Sequence, residues 1–136
     1  MSISSLEQVR KQVESCTKCD LCKTRNNSVP GKGNQNSEII FIGEAPGRSE
    51  DKAGEPFVGA AGKKLVEALE YAGTLRETVY ITNIAKCRPP NNRVPTQIEK
   101  DSCREYLESE IALIKPKVIC IMGNTLRTLP KTLKAL

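Results

Sequence analysis

The apolar positions of this chain form two patterns, short continuous runs and longer stretches with helical spacing. The runs at 38–43, 79–84 and 117–123 have the length and composition of buried strands. The stretches at 60–72 and 96–114 carry apolar residues every three or four positions, which is typical of helices packed against a core. This βαβαβ order predicts an α/β fold with a parallel sheet and right-handed crossovers.

The ends of the two predicted helices carry recognisable signals. Gly73 ends the first helix. Thr96 and Glu99 form a capping box at the start of the second, and Pro116 prevents that helix from continuing. Asn124 is expected to cap a last helix.

Polar segments separate these elements. Residues 23–37 and 44–59 are predicted loops, and residues 5–15 are predicted to form a short helix. The second of these loops and the segment 83–93 both follow the carboxyl ends of strands, where parallel α/β sheets bind their ligands. The segments 44–59 and 83–93 are therefore the places to look for a site.

Composition narrows the possible classes of protein. The 136 residues suit one domain, 1–136, with the segment 1–37 integral to it. A hydrophobic fraction of 38% and a charged fraction of 27% exclude general disorder. No apolar stretch has membrane-spanning length, and the first fifteen residues lack a signal-peptide core. The net charge of +5 hints at a polyanionic partner, and the absence of His excludes His-dependent catalysis.

Cysteines are the strongest compositional signal. The six are Cys16, Cys19, Cys22, Cys87, Cys103 and Cys120. The first three form a C-x2-C-x2-C run, a spacing shared by zinc and iron–sulfur sites, and an intracellular setting favours metal ligands over disulfides. Cys120 lies inside an apolar run and is interpreted as a small buried hydrophobe. Spacing alone does not distinguish a four-cysteine zinc site from an iron–sulfur cluster.

Three motifs add a resemblance to this picture. GEAPG (Gly43–Gly47), EDKAGEPFVGAAGKKL (Glu50–Leu65) and ITNIAKCRPPNNR (Ile81–Arg93) together resemble the family 4 uracil-DNA glycosylases, the prokaryotic iron–sulfur branch of the superfamily. The resemblance runs from the first Cys pair to about Gly123. It implies a three-layer αβα fold with a central parallel sheet. It also implies an enzyme that flips uracil out of DNA and hydrolyses its N-glycosidic bond.

The resemblance also implies a ligand set. Cys16, Cys19, Cys87 and Cys103 would bind one [4Fe–4S] cluster with a structural role, and this shifts the choice strongly from zinc to iron–sulfur. Cys22 would be a spare thiol nearby, with replacement of Cys16 as a ligand as the alternative.

The same resemblance assigns the base pocket. Glu44, Ala45 and Pro46 would form one wall and position water near the sugar, with Glu44 contacting uracil or that water. Family 1 enzymes carry Asp at the position of Ala45, so no general-base carboxylate is assigned there. Read without the resemblance, GEAPG is an ordinary strand-to-loop turn.

Two further residues complete the implied pocket. Phe57 would stack on the flipped base, although a core aromatic is the simpler interpretation of a Phe. Asn83 would read uracil, its amide oxygen accepting from N3–H and its NH2 donating to O4. Taken by itself, Asn83 would be a turn cap.

Basic residues surround the two loops. Taken singly each is a solvated surface charge, but together they suit phosphate contacts with DNA. They are Lys63, Lys64, Lys86, Arg88 and Arg93, with Arg25 and Lys32 as weaker candidates.

The chain departs from the family pattern at its C-terminal end. Family 4 enzymes are longer and carry a His-Pro motif whose His contacts uracil O2, whereas this sequence has no His. We therefore expect a member in which the C-terminal part of the fold is missing, with reduced activity.

Three functions remain open on this evidence. The first is a monofunctional uracil-DNA glycosylase of base-excision repair. The second is a catalytically impaired iron–sulfur module that binds DNA or a partner. The third is a zinc-stabilised nucleotide-binding domain. For the first we expect uracil-containing DNA, single- or double-stranded, as the partner, no membrane association, a monomer, and a prokaryotic cytoplasmic location at the nucleoid.

Overall fold

The computed structural model describes residues 3–123 and 125. The helices are α1 (Leu6–Glu14), α2 (Arg48–Ala53), α3 (Ala60–Tyr71) and α4 (Gln97–Ile114). The strands are β1 (Lys32–Gly33), β2 (Ile39–Gly43), β3 (Tyr80–Asn83) and β4 (Val118–Ile121). Short 3-10 turns occupy Asp20–Lys23, Arg76–Thr78 and Pro90–Asn92.

The four strands form one sheet in the order β1-β3-β2-β4. Strand β2 pairs in parallel with β3 and with β4, which confirms the predicted parallel core. Strand β1 pairs antiparallel with β3, so the sheet is mixed. The segment 23–37 was predicted as loop throughout. The two-residue strand inside it is polar and exposed, and it carries no apolar pattern from which it could be recognised.

Apolar residues cover both faces of the sheet because successive side chains of a strand point to opposite sides. On one face, Ile40 and Ile42 of β2 belong to a buried cluster with Leu107 and Ile114 of α4. On the other face, a second cluster consists of Phe41, Leu65, Leu69, Val79 and Ile81, so that α3 covers this side. Helices on both faces give the expected α/β layers.

Helix α1 forms its own contact with α4. Val9 and Val13 are buried against Cys103 and Tyr106, and Cys16 packs at the margin of this cluster. The N-terminal segment is therefore anchored on the helix that carries Cys103.

The helix signals read from the sequence are confirmed. Thr96 caps α4, its hydroxyl accepting from Glu99 N at 3.2 Å while the Glu99 carboxylate accepts from Thr96 N at 2.8 Å. Arg93 holds the same carboxylate and, together with the Thr96 backbone, lowers the pKa of Glu99 to about 2. No helix within residues 3–123 is long and apolar enough to cross a membrane.

Further predictions about local structure were wrong. The loop predicted at 44–59 contains α2, a six-residue helix that is stabilised at its start by Glu50, whose carboxylate accepts from Gly47 N at 3.0 Å. Strand β4 was predicted to be buried, yet Val118 is 51% and Ile119 36% exposed because β4 lies at an edge of the described sheet. Cys120 is half-buried rather than fully buried. Asn124 lies outside the described residues.

A buried ion pair crosses the interior between α4 and the segment after β3. Lys86 and Glu110 have side chains that are 1% and 0% exposed, and they form a direct salt bridge. The Glu110 carboxylate also accepts from Tyr80 Oη at 2.7 Å and from Thr82 Oγ1 at 3.0 Å. Burial and the neighbouring Glu110 charge raise the pKa of Tyr80 far above its usual value, so its hydroxyl stays a donor.

Replacing Glu110 by Ala should destabilise the protein by about 3–5 kcal/mol, because Lys86 would be left buried without a counter-charge. Urea or thermal unfolding followed by circular dichroism measures this. Glu105→Ala on the same helix is the matched control. Glu105 pairs with Lys18 at 3.2 Å on the surface, and its loss should cost about 1 kcal/mol or less. Equal losses for the two variants would contradict the prediction.

Candidate functional site

The carboxyl ends of β2 and β3 lie side by side. Gly43 and Asn83 are the last paired residues of the two parallel strands. The backbone pairing continues past them, with Ile84 N donating to Gly43 O at 2.9 Å and Ala85 N to Glu44 O at 3.0 Å. The two loops singled out in the sequence thus leave the sheet at one point.

A cavity of about 410 Å³ opens at this point. Its size is in the range typical of small-molecule sites. Its described lining residues are Gly43, Glu44, Ala45, Glu50, Phe57, Ala61, Gly62, Asn83, Met122, Gly123 and Thr125. The structure therefore brings together Glu44, Ala45, Phe57 and Asn83 from the predicted base pocket. Pro46 is buried and does not line the cavity.

Gly43 lets the two principal side chains of the cavity approach each other. A Cβ at this position would lie 2.5 Å from Asn83 Oδ1 and 2.5 Å from Phe57 Cζ. The Asn83 side chain, which is 2% exposed, and the Phe57 ring therefore both rest against the Gly43 backbone.

The loop that carries Phe57 is held by several contacts. Phe57 has a φ of +52°, in the left-handed region. The Glu50 carboxylate accepts from Val58 N at 2.9 Å and from Gly59 N at 2.7 Å. A Cβ on Gly62 would lie 1.9 Å from Phe57 O, so only glycine allows α3 to pack this close to the loop.

A second cavity, much smaller, lies beside the cysteines. Its lining residues are Cys16, Lys18, Cys19, Cys22, Arg25, Lys86, Cys87, Ser102, Cys103 and Tyr106. All four predicted ligands therefore line one space, and Cys22 lines it too. Cys120 lies elsewhere, packed against the cluster that contains Phe41.

Hydrogen-bond donors reach three of the predicted ligand sulfurs. Arg25 Nη1 donates to Cys87 Sγ at 3.2 Å and Lys86 N to Cys103 Sγ at 3.4 Å. Lys18 N donates to Cys16 Sγ at 3.5 Å. Donors of this kind stabilise sulfur that carries negative charge, as iron-bound thiolates do.

Burial has the opposite effect on the free thiols. It raises the pKa of Cys103 to about 11, and it raises the pKa values of Cys87 and Cys19 above the usual range. As free thiols, Cys19, Cys87 and Cys103 therefore favour the protonated form, which disfavours a nucleophilic role for these three.

The cysteines that line this space are the candidate ligands of a metal group. Within the part of the chain that the structure describes, no group of three or more His, Cys, Asp or Glu side chains is arranged to hold a metal ion. A zinc ion needs four ligands at about 2.0–2.3 Å from one centre. A four-iron cluster is held by four cysteine thiolates, one on each iron atom, and the five cysteines around this small space are enough for either kind of group.

Comparison with known proteins identifies the family. The sequence profile of the uracil DNA glycosylase superfamily matches residues 30–134. The chain belongs to the uracil DNA glycosylase superfamily. The match confirms the resemblance seen in the motifs, and it covers the two loops that line the larger cavity.

The chain is similar to individual type-4 and type-5 uracil-DNA glycosylases. The type-4 uracil-DNA glycosylase of Archaeoglobus fulgidus is 55% identical over 122 residues, which cover 90% of this chain and 61% of that protein. The type-4 uracil-DNA glycosylase of Thermotoga maritima is 49% identical over 120 residues, covering 88% and 62%. A type-5 uracil-DNA glycosylase of Thermus thermophilus is 33% identical over 100 residues, covering 63% and 45%. The chain thus spans less than two thirds of the length of these curated relatives.

The basic residues that the sequence suggested for phosphate contacts differ in their surroundings. The predicted phosphate contact by Lys86 is wrong, because its side chain is buried and paired with Glu110. Arg25 donates to Cys87, while Arg93 pairs with Glu99 at 2.8 Å and Lys32 with Glu55 at 2.6 Å. Lys63 and Lys64 are exposed on α3, and Arg88 is half-buried with its Nε donating to Asn92.

Sequence reasoning missed three residues that shape the larger cavity. Glu50 and Gly62 lie inside the quoted EDKAGEPFVGAAGKKL motif, so the motif contained them without indicating their contacts. Arg76 donates to Phe57 O at 2.5 Å and also to Pro56 O, from a 3-10 turn before β3. No local pattern links Arg76 to a loop nineteen residues earlier.

Gly43→Ala should destabilise the protein by about 1–3 kcal/mol, since the added methyl would overlap both Asn83 and Phe57. Urea unfolding measures the loss. Gly47→Ala in the same loop is the control, because the nearest atom to its added Cβ is the flexible end of Glu50 at 3.0 Å. If Gly43→Ala costs no more than Gly47→Ala, the packing of the two side chains against Gly43 is not as described.

Proposed function

We propose that this protein is a uracil-DNA glycosylase that hydrolyses the N-glycosidic bond of uracil flipped out of DNA. The observation that supports this most directly is the cavity at the ends of β2 and β3, where Asn83 and Phe57 meet over Gly43. About 410 Å³ is room enough for a single base. The similarity to type-4 uracil-DNA glycosylases supports the same activity.

Asn83 is the residue that distinguishes uracil from cytosine in this proposal. Its amide oxygen accepts from uracil N3–H and its NH2 donates to O4, whereas cytosine offers an acceptor at N3 and a donor at N4. A freely rotating amide would satisfy either base, so this proposal requires the Asn83 amide to keep one orientation when uracil is bound. The backbone of Asn83 is held by its pairing with Gly43 and by Lys86 Nζ, which donates to Asn83 O at 2.7 Å.

Phe57 supplies the stacking surface for the flipped base. Its ring lines the cavity and lies against Gly43, directly beside Asn83. Stacking of a base on an aromatic ring is worth about 1–3 kcal/mol and does not depend on which base it is. Phe57 therefore supplies affinity, while Asn83 supplies selectivity.

Bond cleavage requires stabilisation of two opposite charges. As the C1′–N1 bond breaks, its electron pair stays on uracil, so that positive charge develops on the sugar and negative charge on uracil and its carbonyl oxygens. Water then bonds through its oxygen to C1′ and loses a proton, which neutralises the uracil anion. Glu44 lines the cavity and is the candidate to contact the water or uracil, with Ala45 beside it and Pro46 shaping the turn. The NH2 of Asn83 stabilises charge on uracil O4.

A [4Fe–4S] cluster on Cys16, Cys19, Cys87 and Cys103 is the cofactor that we propose. The five cysteines around one space and the three N–H donors to sulfur fit such a group. When bound, it supplies a cross-link between the segment after α1, the segment after β3, and α4. Cys22 is the spare thiol of this set.

Several expectations from the sequence stay predictions. They are that residues 1–136 form a single domain, that the protein is a monomer, and that it acts in the prokaryotic cytoplasm. Uracil-containing DNA, single- or double-stranded, is the proposed partner, with Lys63 and Lys64 as the exposed candidates for phosphate contacts.

The purified chain should bind an oligonucleotide carrying one uracil more tightly than the same oligonucleotide carrying cytosine, and it should release free uracil in a single-turnover assay. Phe57→Ala should weaken uracil-DNA binding by roughly 5- to 150-fold, which corresponds to the loss of about 1–3 kcal/mol of stacking. Asn83→Asp should reduce the preference for uracil over cytosine, because the carboxylate offers no NH2 donor to O4.

Tyr71→Ala is the control for these variants, since it removes an aromatic side chain that is 97% exposed on α3. It should leave binding and release unchanged. Selective binding without release would mean that the protein is a binding module of this fold rather than an enzyme. Unchanged binding in both Phe57→Ala and Asn83→Asp would mean that the base site lies elsewhere.

Protein purified without oxygen should be brown and contain about four iron atoms and four acid-labile sulfides per chain. Cys87→Ala should remove the colour, because Cys87 is one of the four proposed ligands. Cys120→Ala should keep it, since Cys120 packs in a different part of the sheet.

Cys22→Ala separates the two possible ligand sets. It should keep both the colour and the iron content. Loss of colour in this variant would place Cys22 among the ligands, and stoichiometric zinc without sulfide would overturn the proposed cluster.

A further inference from the structure

The backbone of Phe57 adopts a conformation that is unfavourable for a residue other than glycine. Its φ of +52° places a bulky, non-glycine residue in the left-handed region. Such a conformation costs on the order of 1–3 kcal/mol and persists only where the surroundings impose it. Something other than the local sequence must therefore hold the loop in this conformation.

The Glu50 carboxylate holds one side of Phe57. It accepts from the backbone N–H groups of Val58 and Gly59, at 2.9 and 2.7 Å. These contacts are close in sequence, and they fix the peptide groups that follow Phe57. They leave the carbonyls of Pro56 and Phe57 to be fixed by another group.

Arg76 supplies that second set of contacts from a distant part of the chain. Its Nη1 donates to Phe57 O at 2.5 Å and its Nη2 donates to Pro56 O. Arginine suits this task because its planar guanidinium presents several donors in a fixed arrangement, whereas lysine presents a compact point charge. The 3-10 turn Arg76–Thr78 that carries it leads directly into β3, the strand that ends at Asn83.

We infer that Arg76 is a positioning residue, which clamps the left-handed Phe57 so that its ring stays beside Asn83 and ready to stack on a flipped base. The inference rests on the proposed role of Phe57. Since its guanidinium donates to two carbonyls of the loop, Arg76 acts on the base through Phe57 and not through a DNA phosphate. The same residue thereby connects the stacking loop to the start of the strand that carries the base-reading amide.

The test measures affinity by fluorescence anisotropy, with one oligonucleotide carrying a hydrolysis-resistant uracil nucleotide and a second carrying an abasic site. Arg76→Met should weaken binding to the uracil oligonucleotide by roughly 5- to 50-fold, within the range set by loss of stacking. It should change binding to the abasic oligonucleotide by less than about twofold, since no base is present to stack. Arg76→Lys, which keeps the charge, should recover only part of the affinity.

A double-mutant cycle with Phe57→Ala separates positioning from direct contact. In the Phe57→Ala background, Arg76→Met should have almost no further effect on uracil affinity. Arg10→Met is the matched control, because Arg10 pairs with Glu7 and Glu14 on the exposed face of α1. It should leave both affinities unchanged. If Arg76→Met fails to fold, Arg76→Gln, which keeps one amide donor, goes through the same cycle.

The possible outcomes distinguish this inference from the proposed function. If Phe57→Ala leaves uracil affinity unchanged, the proposed stacking role fails, and the positioning role fails with it. If Phe57→Ala weakens binding and Arg76→Met does not, only the positioning role fails. If Arg76→Met weakens uracil and abasic binding equally, or by the same factor in both backgrounds, Arg76 contacts the DNA itself and the inference is overturned.

Discussion

The buried pair of Lys86 and Glu110 is the interaction on which the rest of the structure depends. Two charges with almost no exposure are costly to desolvate, and this cost is offset by their pairing and by neighbouring polar groups that bond them. Tyr80 and Thr82 bond the carboxylate, and Lys86 Nζ also reaches Asn83 O. Even Gly31 is part of this arrangement, since a Cβ there would lie 2.2 Å from Glu110 Oε2. Strand β3, helix α4 and the segment before β1 are thereby held in one relative placement.

Lys86 also connects the two candidate sites. Its side chain bonds the backbone of Asn83 at the larger cavity, while its own N–H donates to Cys103 Sγ beside the smaller one. Its carbonyl accepts from Val29 N at 2.6 Å, which joins the segment after the first cysteines. A metal cluster that fixed the cysteines would therefore also stabilise the end of β3. This would be a physical reason for a structural cluster in a protein whose proposed reaction is hydrolytic and transfers no electron.

The larger cavity depends on close backbone approach rather than on many polar contacts. A Cβ on Gly43 would overlap Asn83 and Phe57, and a Cβ on Gly62 would overlap the backbone of Phe57. Because both residues are glycine, the Phe57 loop packs directly against the sheet edge and α3. Glu50 and Arg76 then restrain the peptide groups around Phe57 from opposite sides. A ring held in this way would lose little further freedom on stacking against a base. Such preorganisation would favour the role proposed for Phe57.

The sequence by itself determined the elements and the family. Apolar runs such as 38–43 and the capping box at Thr96 predicted strands and helices, because burial and helix capping leave local patterns. The motifs likewise indicated Asn83, Phe57 and the cysteines. Tertiary structure alone decided that Lys86 is buried, that β1 joins the sheet antiparallel and that Arg76 reaches the Phe57 loop. The reason is that a charge pairs with whatever the fold brings near it, and a spacing along the chain does not encode a partner nineteen or twenty-four residues away.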